Sequence, residues 1–290
     1  MSMTERPQEA LSRDPRKIVK DLIRRLISLE TRKKLAIRVN GLEWVAKDRR
    51  SWWSRELIRD LAGENINEYH RFLWLHHLAY AAPYEVATRF GDENIEKSRK
   101  MFSQDLVKHL VSMKIDPGTE IRSIFEVGCS LGYQLRFLEK NVFLSARTIV
   151  GIDIDRYAVM TGAEYLREIG SKVSVRYADM LDLQKELAGK DFDIVLCSGV
   201  LMYLDEVHAS EVVRVMLRHT GIMLAITGLA HPHVDNSGLL QSIPRERDLA
   251  FIHNIDSMVR RAGGKVIARR WDGANLVDGH SIYFVFATKD

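Results

Sequence analysis

"FEVGCSLGYQLRF", residues 125–137, sets a run of small residues directly behind an apolar, strand-like segment. Gly128, Ser130 and Gly132 spell G-x-S-x-G, the pattern of a serine hydrolase's nucleophile elbow, and equally that of a glycine-rich loop closing on a cofactor. Context separates the two readings. In the hydrolase fold several strands precede the elbow, whereas here the turn follows the first strand of a β/α alternation. An acidic residue, Asp153, ends the next strand, which is the ribose-binding arrangement of a βαβ unit. Glycine at 128 and 132 permits a tight turn and lets a ligand lie against bare backbone, and Ser130 is small enough to sit between them. A dinucleotide loop would read G-x-G-x-x-G. Here its last position is Tyr133, and Glu126 stands before the loop, unfavourable beside pyrophosphate but suited to a cationic ligand.

The alternation extends outward from this loop. "IRSIFEV" (121–127), "RTIVGID" (147–153), "KVSVRY" (172–177), "FDIVLCS" (192–198) and "GIMLAITG" (221–228) read as strands, with helical patterns at 156–169 and 205–219. That rhythm predicts a doubly wound α/β fold, mostly parallel, with right-handed crossovers. A helix near 247–262 is followed by "GKVIARRW" and "HSIYFVFATK", a terminal hairpin that makes one strand antiparallel. Residues 1–119 contain helical patterns and no convincing strand. The turn "DPGT" at 116–119 marks the expected boundary between a helical cap region, 1–119, and a ligand-binding domain, 120–290.

The chain of 290 residues is 46% hydrophobic and 28% charged, a globular composition. No apolar run approaches the ~20 residues of a membrane span, and the first ten residues lack the apolar core of a secretory signal. A cytoplasmic location is expected. Cys129 and Cys197 form no metal or disulfide spacing and read as small buried hydrophobes. Basicity is local, since residues 1–60 hold 16 Lys and Arg against 9 Asp and Glu. Ile18, Leu22, Ile23 and Leu26 alternate there with Lys17, Lys20, Arg24 and Arg25. The stretch 16–39 thus reads as an amphipathic basic helix with weak contact to an anionic membrane surface as one outcome and a solvated face as the other.

The loop resembles motif I of the class I S-adenosylmethionine-dependent methyltransferases, an acidic residue and an apolar one followed by G-x-G-x-G, with Ser130 in place of the middle glycine. "VGIDID" is similar to the second motif, implying Asp153 on the ribose hydroxyls and Ile154 against adenine. "RYADMLDL" resembles the third, implying Asp179 near the adenine amino group with Ala178 and Met180 along its face. "FDIVLCSGVLMYLD" resembles the fourth, implying Cys197, Ser198 and Gly199 beside the methionine part. The loop residues Gly128, Cys129, Ser130 and Gly132 complete the cofactor set. The resemblance implies a seven-stranded, Rossmann-like sheet of order 3-2-1-4-5-7-6 and S-adenosylmethionine as cofactor.

Glu126 offers its charge to the methionine amino group. "GLAHPHVDNSG" (228–238) follows the fifth strand, at the sheet edge where ligands bind, so His231 or His233, oriented by Asp235, is the expected general base. Tyr203 and His208 are second-rank candidates, and a metal site is not expected. Arg71 and Tyr84, in the aromatic-rich helical region, are expected at the cofactor or acceptor. The expected reaction is O-methylation of a small-molecule or glycan-type acceptor. Methylation of RNA, a catalytically inactive S-adenosylmethionine-binding scaffold, and a nicotinamide dehydrogenase rank below it.

Overall fold

The computed structural model describes residues 23, 26–78, 95–277 and 279–290. Its centre is a seven-stranded sheet. The strands are β1 (Ser123–Val127), β2 (Thr148–Asp153), β3 (Val173–Tyr177), β4 (Phe192–Ser198), β5 (Thr220–Leu229), β8 (Gly264–Val277) and β9 (His280–Lys289), in spatial order 3-2-1-4-5-9-8. β1 runs parallel to both β2 and β4, and β9 is antiparallel to β5 and β8. A separate two-stranded ribbon, β6 (Ile243–Pro244) with β7 (Phe251–Ile252), occupies part of the stretch expected to be helical. With that ribbon set aside, the order is the expected one.

Side-chain alternation divides the interior into two layers. Phe125, Val127, Val195, Cys197, Leu224 and Ile226 point to one side, where they meet α7 (Glu206–Arg218) and α8 (Ile255–Arg261). Ile124, Ile194, Leu196, Met223 and Ala225 point to the other, against α4 (Lys97–Ser112), α5 (Tyr133–Asn141) and α6 (Arg156–Glu168). Phe102, Leu106 and Leu110 of α4 are fully part of this second layer. A boundary drawn at 119/120 therefore falls between a helix and a strand of one packed layer.

Short polar residues start several of the helices. Asp155 accepts from the Ala158 N–H at α6, Asp205 from that of His208 at α7, and Asn254 from that of Ser257 at α8, each satisfying an otherwise orphaned donor. Ahead of the sheet domain, α1 (Leu29–Asn40), α2 (Lys47–Leu57) and α3 (Ile66–Leu75) share a small core of Ala36, Leu57, Ile58, Tyr69, Phe72 and Leu73. The buried Arg32 locks it, donating to the Leu57 carbonyl at 2.7 Å and to both oxygens of Asp60 at 2.5 and 2.6 Å.

The α3 helix docks these helices onto the sheet. Asn67 exchanges two 2.8 Å hydrogen bonds with Asp205, and the His70 Nε2 meets the Leu249 carbonyl at 3.0 Å. His77 follows with Nδ1 at 2.5 Å from Asp155. One helix thus reaches the carboxyl ends of the strands, where strand order reverses between β1 and β4.

Candidate active site

The loop behind β1 is bent by three left-handed residues, Gly128 at φ +74°, Ser130 at +53° and Gly132 at +82°. The Gly128 and Cys129 N–H groups both donate to the Ile152 carbonyl, at 2.8 and 3.0 Å, which fastens the loop to the end of β2. The glycines serve the chain itself before any ligand. A Cβ on Gly128 would collide with the Val200 side chain, and one on Gly132 would lie 2.7 Å from Val175 Cγ1. Ser130 holds a conformation that non-glycine residues rarely adopt, with its N–H donating to Asp153 Oδ2 at 2.7 Å. The chamber that Ser130 enters has no histidine among its described lining residues, which gives the hydrolase reading no support.

Two connected cavities open at this edge. The smaller, about 480 Å3, is lined by Gly128, Asp153, Ile154, Ala178, Asp179 and Met180 from the sheet domain and by Asn67, His70, Arg71 and Trp74 from α3. The larger, about 1230 Å3, shares Gly128, Asp153, Ile154, Met180 and Tyr203 and extends past Ser130, Ser198 and Gly199. It then runs between Arg99 and Phe102 of α4 and the edge of β5 and β9.

Charge is distributed unevenly along this crevice. Asp153 accepts from the Ser130 and Asp155 N–H groups, at 2.7 and 2.8 Å, and burial pushes its carboxyl up to about 6. Glu126 is buried with no partner for either oxygen, and burial pushes it up to about 7 against the opposing pull of Arg99. On the same layer, Gln134 Nε2 and Ser198 Oγ are also buried without partners. Four polar atoms on these three residues are thus unsatisfied; Ser198 lines the larger cavity, whereas Glu126 and Gln134 lie behind its lining. At the other end Asp179 is occupied. It accepts from Arg71 Nε at 2.8 Å and from the Leu181 N–H at 3.0 Å, so a side chain from the helical region closes over it.

The family model for a methyltransferase domain matches residues 124–221. Residues 124–221 thus form a methyltransferase domain. No curated protein matches it. Magnesium protoporphyrin IX methyltransferase from Synechocystis, solved with S-adenosylmethionine bound, is 15% identical, with 81% of this chain and 97% of that chain covered at a TM-score of 0.49. A Galdieria sulphuraria protein provisionally assigned as a sarcosine dimethylglycine methyltransferase is 12% identical, covering 67% and 85%, with a TM-score of 0.51. The cyclase SpnF is 17% identical, covering 66% and 81%, also at 0.51. The last two, at identities this low, speak for a shared fold alone, which by itself does not specify an acceptor or a reaction.

The domain's crevice fits S-adenosylmethionine. Asp153 keeps free lone pairs for hydroxyls, and the Ile154, Ala178 and Met180 side chains offer apolar walls to a flat ring, while the unpartnered Glu126 carboxylate, suited to an ammonium, lies buried behind the lining. Several expected site residues lie elsewhere. Cys129, Gly132 and Cys197 pack behind the lining, with both thiols pushed up by burial, Cys197 to about 12. The two cysteines also belong to opposite core layers, Cys129 with α4 and α5 and Cys197 with α7 and α8. Tyr84 is outside the described residues.

His231, His233 and Asp235 do not line either cavity. The His231 Nδ1 accepts from the His233 and Val234 N–H groups at 3.2 and 3.0 Å, which makes its ring the cap of its own turn. Asp235 is held by both guanidinium nitrogens of Arg269 and lies at about 2, lowered by that pairing. His208 is likewise engaged with Asp205 and Asn67. Tyr203 does line both cavities; burial pushes its phenol upward and so keeps it protonated. Sequence reading missed Asn67 and His70 on α3 and Arg99 and Phe102 on α4, and weighed Trp74 as a pocket-facing aromatic without choosing it. Asn67, His70, Arg71 and Trp74 fall at i, i+3, i+4 and i+7, one helix face, which was the available signal.

Proposed function

We propose that this methyltransferase acts at an oxygen of a small-molecule or glycan-type acceptor bound in the larger cavity. The observation that supports this reading is the shape of the crevice. Trp74 of α3 and Ser98, Arg99 and Phe102 of α4 flank the sheet edge, and the crevice they bound beside the cofactor end suits one small acceptor or sugar unit. Trp74, Phe102, Met202 and Phe284 give that chamber apolar surface, and Thr227, Ser281, Glu96 and Arg99 give it polar anchors for hydroxyl groups.

In this reading Asp153 receives the ribose hydroxyls, Ile154, Ala178 and Met180 pack the adenine, and Glu126 and Ser198 hold the methionine end. S-adenosylmethionine supplies a methyl group made electrophilic by its sulfonium. The chain's own residues then align the acceptor, exclude water and take up the hydroxyl proton, and alignment alone is worth up to ~7–11 kcal/mol of barrier in ideal cases. Proton uptake passes from His231 and His233, which are outside the chamber, to Glu96, a carboxylate that lines it. Tyr203 donates a hydrogen bond to the acceptor.

Incubating the chain with isotope-labelled S-adenosylmethionine and fractionated cell extract tests the proposal. Label is expected in low-molecular-weight or glycan fractions as a base-stable ether. Label in the RNA fraction alone, or cofactor binding with no transfer to any fraction, contradicts it.

A further inference from the structure

Five tryptophans occur in the chain, and three of them, Trp44, Trp52 and Trp53, fall within ten positions. They are 83%, 38% and 45% exposed, while Trp74 and Trp271 are partly buried against the cavity and the core. Leu35 and Ile37 add exposed apolar surface on the preceding helix, at 37% and 40%. Water-facing indole is unfavourable unless something else covers it, and chance does not concentrate it in one hairpin.

These side chains share the outer surface of the α1–α2 hairpin. The inner surface is fixed by Ala36, Ser51, Ser54 and Leu57, all buried, with Ser54 Oγ donating to the Ala36 carbonyl at 2.8 Å. Helical spacing then puts Lys34, Leu35 and Arg38 of α1, and Arg49, Trp52 and Trp53 of α2, on the faces turned away from that core. Lys34, Arg38 and Arg49 are exposed, and no ion pair among the described residues engages them. Residues 29–57 contain eight Lys and Arg against four Asp and Glu, and one of the four, Glu30, pairs with Lys33.

We infer that the outer face of the α1–α2 hairpin is a docking surface for an anionic lipid bilayer, with Trp44, Trp52 and Trp53 seated at headgroup depth and Lys34, Arg38 and Arg49 on the anionic headgroups. Indole partitions to the bilayer interface, where its ring is covered and its N–H stays hydrated, and basic side chains around it are attracted to negative lipid. A protein partner would match the apolar surface equally, but unpaired cations around the tryptophans complement a negatively charged plane. The surface extends the basic character read over 16–39 and moves its centre to the loop and second helix.

The test is vesicle flotation of the full chain with phosphatidylcholine vesicles, with and without phosphatidylglycerol, at low and high salt. Binding is expected only with phosphatidylglycerol, weakening as salt rises, with a blue shift of tryptophan emission. The variant Lys34→Gln/Arg38→Gln/Arg49→Gln should bind about 100-fold more weakly, from roughly fivefold for each surface charge removed. The variant Trp44→Ser/Trp52→Ser/Trp53→Ser should lose the emission shift and the flotation. Unchanged thermal unfolding keeps both variants interpretable. Three results overturn the inference: equal binding to both vesicle types, binding that survives both variants and disappears only on deleting residues 1–22, or no vesicle binding alongside a dimer that the tryptophan variant dissolves.

Discussion

Arg71 on α3 donates its Nε–H to Asp179 Oδ2 at 2.8 Å, joining the N-terminal helices to the far end of the cofactor crevice. The pair is asymmetric, with Arg71 39% exposed and Asp179 11%. Exposure of the guanidinium limits its worth to folding, so Arg71→Ala should change stability by less than ~1 kcal/mol. Its effect belongs to binding. Without the clamp the guanidinium no longer closes over Asp179, although Asn67 and His70 still dock α3, and S-adenosylmethionine affinity by calorimetry should fall roughly tenfold, the equivalent of ~1.4 kcal/mol. Arg71→Lys keeps the charge and loses the fixed geometry, and should recover only part of it.

Glu126 and Asp153 make the ligand-free protein less stable as pH rises. Burial holds them at about 7 and about 6, above the ordinary 4.5 and 3.8, so through the weakly acidic range the folded state binds more protons than the unfolded one. With ν_U − ν_N negative, unfolding free energy falls between about pH 4 and pH 7. For Glu126 alone the drop is on the order of 3 kcal/mol. Urea titrations should show that slope in the wild type and a shallower one in Glu126→Gln. The cofactor reverses the sign for its own binding. An ammonium selects the ionised carboxylate, so affinity should rise by up to about tenfold per pH unit below pH 7. Affinity that is flat across this range would detach Glu126 from the methionine amino group.

The loop gives a pair of opposed substitutions. Gly132→Ala forces a Cβ at φ +82° and 2.7 Å from Val175, and should destabilise by roughly 2–4 kcal/mol. Ser130→Gly relieves a left-handed non-glycine residue but frees the unfolded chain, so the two effects nearly cancel and stability should move by less than ~1 kcal/mol. Cofactor affinity should survive Ser130→Gly, since the contact to Asp153 is made by the backbone N–H.

The sheet was legible because each strand carries its own apolar run and two of the crossover helices start at short polar caps, Asp155 and Asp205. Its order came from the ordered motifs. The α3 wall was harder to see. Trp74, His70 and Asn67 repeat at helical spacing, and so do Tyr69, Phe72 and Leu73, which are core. Periodicity locates two faces and does not say which one meets the ligand. The loop 228–238 misled for a different reason. It does leave β5 at the ligand-binding edge, but Asn236 is buried inside it, accepting from the His231 N–H at 2.8 Å and donating to the Leu229 and His253 carbonyls. Arg269 draws Asp235 toward β8. Those partners are remote in sequence, and they fix the loop's own turn with its histidines off the cavity.

That geometry separates two assignments of the base by kinetics. His233 is exposed, His231 caps its turn through Nδ1, and neither lines the chamber, so His231→Ala and His233→Ala should leave kcat within about twofold of wild type, their effects confined to local stability. Glu96 lines the chamber and accepts from Arg99 Nε at 2.8 Å. Loss of a general base typically slows turnover about 10²–10⁴-fold, so Glu96→Gln should lower kcat in that range while leaving cofactor affinity unchanged. Raising the pH should partly restore the variant for an acceptor whose hydroxyl ionises without help. A full-rate Glu96→Gln enzyme, or a pH profile identical to the wild type's, would return the proton to water or to a residue outside the chamber's described walls.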